Sequence, residues 1–376
     1  MNKINKEVYI CLILLLFQST ITPCFAFSNN ESTIYHELAE SEQSELELIY
    51  SNTNLPGFET YSNAINLMNE YPMYSYMQFS ECRKLLIKNN TEKLVIDMGE
   101  SGAEELLFAK IKNNKSLISE KIVSIKPKTI ASNEWLSIAK MNFNMAEKSF
   151  EKANEYVDTD FSTTIYLLAN SQYYLYNTEN MLVLAEMRNN LNNSVDSNLI
   201  FSTEKDVALK WINSANSQID GNNEVLTKSQ AYYDEGNYYF ALMLAADAKT
   251  PEYTIETNEN EITLAKQRIN DVVLAISSLK NNSNIDAPIV ELKIELAKLH
   301  LKGAENENSI APSLLVHSSI QEAVVVNEQI NALLDLKNTI ENPHKSALDV
   351  KTESNPLGLI PIIGVVIAFI IRRWPK

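Results

Sequence analysis

The stretch from Trp135 to Val157, WLSIAKMNFNMAEKSFEKANEYV, contains the clearest periodic pattern in the chain. Its apolar residues recur at spacings of three and four: Trp135, Ile138, Ala139, Phe143, Ala146, Phe150 and Ala153. That spacing places them on one face of an α-helix, because 3.6 residues make one turn. We expect this helix to begin at Ser132.

The rest of the chain also has a helical pattern. Only 8 glycines occur among 376 residues, and the prolines stand near the ends of periodic stretches. We therefore predict an all-α protein. Further helices are expected to begin at Pro72, at Asp160, at the pair Thr203 and Asp206, at Asp286 with Pro288, and at Pro312. Residues 91–127 fit a helical hairpin, although EKIVSIK (120–126) also fits a short strand.

Both ends of the chain predict membrane targeting. Residues 1–26 contain lysines, an apolar run and a small-residue end, the order of a secretory signal peptide cleaved after Ala26. Lipidation at Cys24 and an uncleaved anchor are the alternatives. Residues 356–371 (PLGLIPIIGVVIAFII) are uncharged and precede two arginines, so we predict one C-terminal transmembrane helix. A removable signal or a buried core helix are the alternatives there.

These features divide the chain into seven predicted segments. They are a signal peptide (1–26), an N-terminal helical region (27–128), a helical-hairpin region (129–250), a helical bundle (251–342), a tether (343–355), a transmembrane helix (356–371) and a cytoplasmic tail (372–376). The bundle is expected to have three antiparallel helices with apolar seams along residues 262–340. The predicted location is the cell membrane, with a single pass and the ectodomain outside the cytoplasm.

The charge of the chain argues against nucleic acid as a partner. The sequence has 32 basic and 48 acidic residues, a net charge of −16. Without the five basic residues and one acidic residue of the predicted terminal segments, 27 and 47 remain, a net of −20. Binding to nucleic acid depends on cations that neutralise phosphates, and this ectodomain has a large excess of anions.

No known catalytic or metal-binding motif is found. Cys82 is the only cysteine outside the predicted signal peptide, so we expect no intrachain disulfide and a buried thiol. The histidines are scattered without a partner four residues away, and phosphate-loop and nucleophile-elbow motifs are absent. We predict no metal, no cofactor and no enzymatic activity. An enzyme with dispersed acidic residues is an alternative.

Tyrosine is the one remaining residue type that is enriched in the sequence. The residues cluster at predicted helix turns, where phenol rings fill the space between crossing helices. The functional interpretation is a concave face that binds a peptide or a partner helix, because tyrosine offers a large contact area with little entropy loss. The candidate partner-binding residues are Tyr173, Tyr174, Tyr232, Tyr233, Tyr238 and Tyr239.

The stretch from Ala231 to Pro251, AYYDEGNYYFALMLAADAKTP, resembles the turn and second helix of a tetratricopeptide repeat. The residues that carry the resemblance are Tyr232, Gly236, Tyr238, Ala241, Ala248 and Pro251. An offset of 77 residues aligns this stretch with a second one, in which Tyr156 matches Tyr233 and Asp160 matches Asn237. The resemblance implies helical hairpins that bind protein partners.

Two further resemblances concern the whole chain. A signal peptide, a helical ectodomain and a short anchor with an arginine tail are similar to archaeal cell-surface proteins. The tyrosine- and alanine-rich hairpins are also similar to the helical region of secreted Lon-like proteases, here without the protease domain. This second resemblance implies an accessory role rather than catalysis.

The sequence thus predicts a non-enzymatic, membrane-anchored, extracytoplasmic helical scaffold that binds protein partners of unknown identity. One alternative is a structural envelope or stalk component that self-associates. Another is an accessory subunit of a membrane-bound protease or transporter.

Overall fold

A computed structural model describes residues 34–51, 55–190, 195–219, 223–250, 261–281, 285–306, 309 and 311–342. These residues form helices and no strands, which confirms the all-α prediction for the described part of the chain. The helices are α1 (Ile34–Tyr50), α2 (Phe58–Leu67), α3 (Pro72–Met98), α4 (Glu100–Ser124), α5 (Ile130–Tyr156), α6 (Phe161–Arg188), α7 (Ser197–Gln218), α8 (Glu224–Asp234), α9 (Tyr238–Lys249), α10 (Glu261–Asn281), α11 (Pro288–Glu305) and α12 (Pro312–Glu341).

The helices pack around two apolar cores. Helices α1 to α6 enclose the first core, in which Phe79, Leu107 and Trp135 are fully buried. Helices α7 to α12, together with Ile130 of α5, enclose the second, centred on residues such as Leu242 and Leu333. We call residues 34–190 the N-terminal half and residues 195–342 the C-terminal half. The chain passes from one half to the other once, between α6 and α7.

The region 91–127 forms a helical hairpin. Helix α3 ends at Met98, and Gly99 adopts φ 78°, a backbone conformation that strongly favours glycine, before α4 begins. The alternative of a strand over residues 120–126 is wrong, because α4 continues to Ser124. Its buried residues Ala103, Leu107, Ile111 and Ile118 recur with a helical period.

Several predicted helix starts are confirmed. Pro72 and Pro312 occupy the first position of α3 and α12, where the missing N–H costs nothing. Asp160 caps α6 by accepting a hydrogen bond from the Thr163 N–H at 3.0 Å. Asn237, its counterpart at the 77-residue offset, caps α9 through the Phe240 N–H at 3.4 Å.

Two predicted helix starts are wrong, whereas α11 begins at Pro288 as predicted but without Asp286 as its cap. Helix α5 begins two residues before Ser132, because Thr129 accepts a hydrogen bond from the Ser132 N–H at 3.0 Å. Helix α7 begins at Ser197 with Asp196 as its cap, so Thr203 and Asp206 lie inside the helix. Asp286 does not cap α11, because its carboxylate binds side chains of the N-terminal half.

The seam predicted on α10 and α12 is buried within one chain. Ile269, Ile276 and Ile330 are each at most 5% exposed, and α10, α11 and α12 pack on one another. Leu334 of this seam is 37% exposed, while the rest packs largely within one chain, and the self-associating stalk stays a prediction.

The predicted terminal segments, 1–26 and 343–376, lie outside the described residues. Among the helices that are described, none has both the length and the apolar composition needed to cross a membrane.

Candidate functional site

The six candidate tyrosines fall into two separate groups. Tyr173 and Tyr174 lie on α6, with ring centroids 5.2 Å apart. The Tyr173 ring packs with Ile87 and Ala169, and its hydroxyl lies 3.0 Å from the Ser80 hydroxyl. Burial raises the pKa of Tyr173 to about 12, so the phenol stays protonated and serves as a hydrogen-bonding group rather than a base.

The other four tyrosines lie at the α8–α9 turn, in the second core. Tyr239 is fully buried, whereas Tyr232, Tyr233 and Tyr238 are partly buried. The rings of Tyr233 and Tyr238 lie 5.2 Å apart across the turn. These rings contribute to the α8–α9 packing, and a continuous face that includes Tyr173 is not formed.

An open apolar concavity lies between α3 and α6, beside the first tyrosine group. We call it the α3–α6 groove. It has a cavity volume of about 520 Å³ and is lined by Lys88, Thr91, Glu92, Val95, Ile96, Phe161, Ser162, Thr163, Ile165, Tyr166 and Ala169. Ala169 also contacts Tyr173, so the groove ends next to a predicted site residue.

Large apolar side chains in this groove are exposed to solvent. Ile96 is 83% exposed and Tyr166 is 49% exposed. Burying apolar surface of this kind releases about 25 cal/mol per Å², so solvent exposure of both side chains is a cost that a bound partner would remove. The groove is the described surface that best fits a binding role.

The charged residues of the groove come from one helix. Lys88 lies over the Tyr166 ring, with its Nζ 5.8 Å from the ring centroid. Glu92 follows one turn later on α3, and neither side chain makes an ion pair with any described residue. The groove therefore presents one cation and one anion beside an apolar floor, an arrangement that an amphipathic helix can complement.

Sequence reasoning missed the groove residues Ile96 and Phe161. The available signal was the run Leu94, Val95, Ile96 in a helical context. Three consecutive apolar residues span about 200° of a helix, so one of them must point away from a one-sided core. Leu94 is buried and Ile96 is exposed.

A cluster of polar side chains connects α1 to α3 and α6 in the N-terminal half. Arg83 Nη2 binds Glu42 Oε2 at 3.1 Å, and the Tyr176 hydroxyl donates to Glu42 Oε1 at 2.7 Å. Asn180 Nδ2 also donates to Glu42 Oε1, at 3.1 Å. Both carboxylate oxygens of Glu42 have partners, so this arrangement holds α1 against α3 and α6.

Metal binding finds no support among the described residues. No three His, Cys, Asp or Glu side chains in the described ranges are grouped closely enough to hold a metal ion. Cys82 is buried, as expected, and burial raises the pKa of its thiol to about 12. It is therefore a small apolar residue rather than a reactive nucleophile.

No family model, no curated protein and no solved structure matches this chain. The likenesses to tetratricopeptide repeats, archaeal cell-surface proteins and Lon-like proteases stay predictions.

Proposed function

We propose that this protein is a non-enzymatic, membrane-anchored helical scaffold that binds a protein partner outside the cytoplasm through the α3–α6 groove. The location rests on the sequence of the two termini. The binding role rests on one observation, the solvent exposure of Ile96 and Tyr166 in a groove between two long helices.

The groove favours an amphipathic helix as the occupant. Helices α3 and α6 contribute two walls, and a third helix packed along them would bury the apolar residues at i, i+3, i+4 and i+7 of its own face. An acidic residue of that helix would face Lys88, and a basic one would face Glu92. The phenol of Tyr166 adds an aromatic anchor of the kind enriched at energetic centres of interfaces.

Site-specific photo-crosslinking tests this proposal. A photoreactive amino acid at Ile96 in the full-length chain, produced in its native cells, is expected to give a discrete adduct with one protein. Leu274 on α10 is the matched control position, since it is 70% exposed and lies outside the groove. The proposal predicts no equivalent adduct from that position.

A substitution in the groove tests whether the crosslinked partner is bound there. Tyr166→Ala, combined with the crosslinker at Ile96, is expected to reduce the adduct about tenfold, the effect of losing roughly 1.4 kcal/mol of binding. Identical adducts from positions 96 and 274, or an adduct insensitive to Tyr166→Ala, would show that the groove is not the binding surface. An adduct with a second copy of this chain would instead favour the self-association alternative.

A further inference from the structure

The boundary between the two halves is built from buried carboxyl groups. Glu134, Glu204, Asp286 and Glu295 are each at most 6% exposed, and each makes hydrogen bonds across the boundary. The two apolar cores lie on either side of them. We call the buried set Tyr35, Asn133, Glu134, Trp135, Arg188, Glu204, Tyr239 and Asp286 the polar junction.

Glu134 and Asp286 form the centre of the polar junction. Glu134 Oε2 accepts hydrogen bonds from the N–H groups of Asp286 and Ala287, at 2.8 and 3.0 Å. Asp286 Oδ2 accepts from Trp135 Nε1 and Arg188 Nε, each at 2.6 Å. The Tyr35 hydroxyl donates to the Asp286 carbonyl oxygen. These bonds connect α1, α5 and α6 to the segment that precedes α11.

Two more glutamates accept hydrogen bonds across the boundary between the halves. Glu204 on α7 accepts from Asn133 Nδ2 at 2.7 Å. Glu295 on α11 accepts from the N–H groups of Met73 and Tyr74, at 3.2 and 2.6 Å, and so caps α3 from the other half.

The polar junction contains more carboxyl groups than cations. Arg188 pairs with Asp286, and its Nη2 has no hydrogen-bond partner among the described residues. Lys280 acts on Glu134 from α10 but pairs with Glu291 at 2.7 Å. Ionisation of Glu134 therefore places a second negative charge beside Asp286 in a buried site.

Burial raises the pKa values of three of these glutamates. Burial, followed by the charge of Asp286, raises the pKa of Glu134 to about 8. Burial raises the pKa of Glu204 to about 7 against the opposing effects of Asn133 and Lys140. The pKa of Glu295 is also raised to about 7 by burial, and Lys298 and the two N–H donors oppose the shift while Glu291 adds to it.

The uncharged form of Glu134 has a hydrogen-bonding position ready for its proton. Glu134 Oε1 and the Tyr239 hydroxyl are both buried and have no hydrogen-bond partner among the described residues, and burial followed by the charge of Glu134 raises the pKa of Tyr239. A protonated Oε1 can donate to that hydroxyl while Oε2 continues to accept from the two N–H groups.

We propose that the polar junction is a pH-dependent contact that holds the two halves together in acidic to neutral solution and opens in mildly alkaline solution. Ionisation of Glu134 and its neighbours makes the buried boundary unfavourable, and the single chain connection lets the halves separate. Apart from a few contacts, such as that of Ile130 with the second core, each apolar core is formed within one half, so the helices persist. External pH then controls how the halves are arranged.

The fluorescence emission of Trp135 can report this opening, because the indole is fully buried and donates a hydrogen bond to Asp286. The full chain with Trp211→Phe and Trp374→Phe is titrated from pH 5.5 to 9.5, with fluorescence and far-UV circular dichroism recorded together. The expected result is a red shift of the Trp135 emission with a midpoint between pH 7 and 8, at constant helicity. Hydrogen exchange of the unsubstituted chain provides a second measurement, with protection lost in residues 130–137 and 285–290.

Glu134→Gln reproduces the uncharged side chain at every pH. It is expected to move the midpoint upward by at least about one pH unit. Glu151→Gln is the matched control on the same helix, where the side chain is exposed, and should leave the midpoint unchanged. Constant emission up to pH 9.5, loss of helicity at the same midpoint, or equal behaviour of the two variants would each overturn the proposal.

Discussion

At the scale of single residues, Asp286 shows how a buried charge is accommodated. One carboxylate oxygen accepts from an indole and from a guanidinium, and the segment's backbone N–H groups bind Glu134. A pair of this kind adds little net stability compared with apolar residues, yet removing one member leaves the other charged and unpaired. Asp286 and Arg188 should therefore be strongly coupled.

Asp286→Asn is expected to lower the free energy of unfolding by about 3 kcal/mol, because Arg188 then remains charged and buried without a counterion. Urea denaturation of the full chain measures the change. Glu305→Gln, which removes the exposed pair with Lys266, is the control and should cost less than about 1 kcal/mol. Adding Arg188→Met to Asp286→Asn should recover part of the loss, and strictly additive effects would contradict the coupling.

At the scale of helices, two proline-initiated helices begin with caps from distant elements. Neither α3 nor α11 has a capping side chain of its own. Glu295 accepts hydrogen bonds from N–H groups in the first turn of α3, and Glu134 accepts them from the segment that leads into α11. A carboxyl oxygen at a helix start is favourable because the first N–H groups have no acceptor within the helix.

Glu295→Ala is expected to destabilise the protein by roughly 1 to 3 kcal/mol, since the N–H groups of Met73 and Tyr74 lose their acceptor. Hydrogen exchange should show the earliest loss of protection at these two amides. Glu295→Gln is the matched variant, because one amide oxygen can still accept, and its effect should be smaller. Unchanged protection at Met73 and Tyr74 in the alanine variant would refute the capping role.

The helices were largely predictable from local patterns, and the long-range caps were not. Proline positions and Asp160 identify helix starts because their effect acts within one turn. Glu134 and Asp286 are 152 residues apart, and no local rule pairs them. The first turns of α5 are buried on every side, and Glu134 lies within them. Nothing in the local apolar pattern indicates that this polar residue is buried. Surface grooves such as that beside Ile96 depend on helix placement, which periodicity does not give.

At the scale of the whole molecule, the buried carboxyl groups set the pH dependence of stability. A carboxyl group with a pKa raised by folding binds protons more tightly in the folded state. Its contribution to the free energy of unfolding is therefore largest below the pKa of the unfolded state, and it declines as the pH rises to the pKa of the folded state. Glu134, with a pKa of about 8, and Glu204 and Glu295, each about 7, all act in this direction.

Stability is therefore expected to fall from pH 5 to pH 8, by roughly 3 kcal/mol or more over that range. The pKa of His300, raised by Glu322, acts in the same direction. Lys110, whose pKa burial lowers to about 8, opposes the trend only at higher pH. Urea midpoints at four pH values measure the effect. The double variant Glu134→Gln with Glu204→Gln should flatten the curve, and a midpoint that rises with pH would contradict the assignment.

The separation of the junction partners along the chain also has a consequence for biosynthesis. Trp135 and Asp286 are 151 residues apart. At a ribosomal rate of about 5 to 20 residues per second, the later partner is made roughly 8 to 30 seconds after the earlier one. During that interval the nascent N-terminal half has an incomplete α5 terminus with Glu134 and Arg188 facing water. We expect codons that slow translation beyond residue 190 to lengthen this period and to lower the yield of native protein.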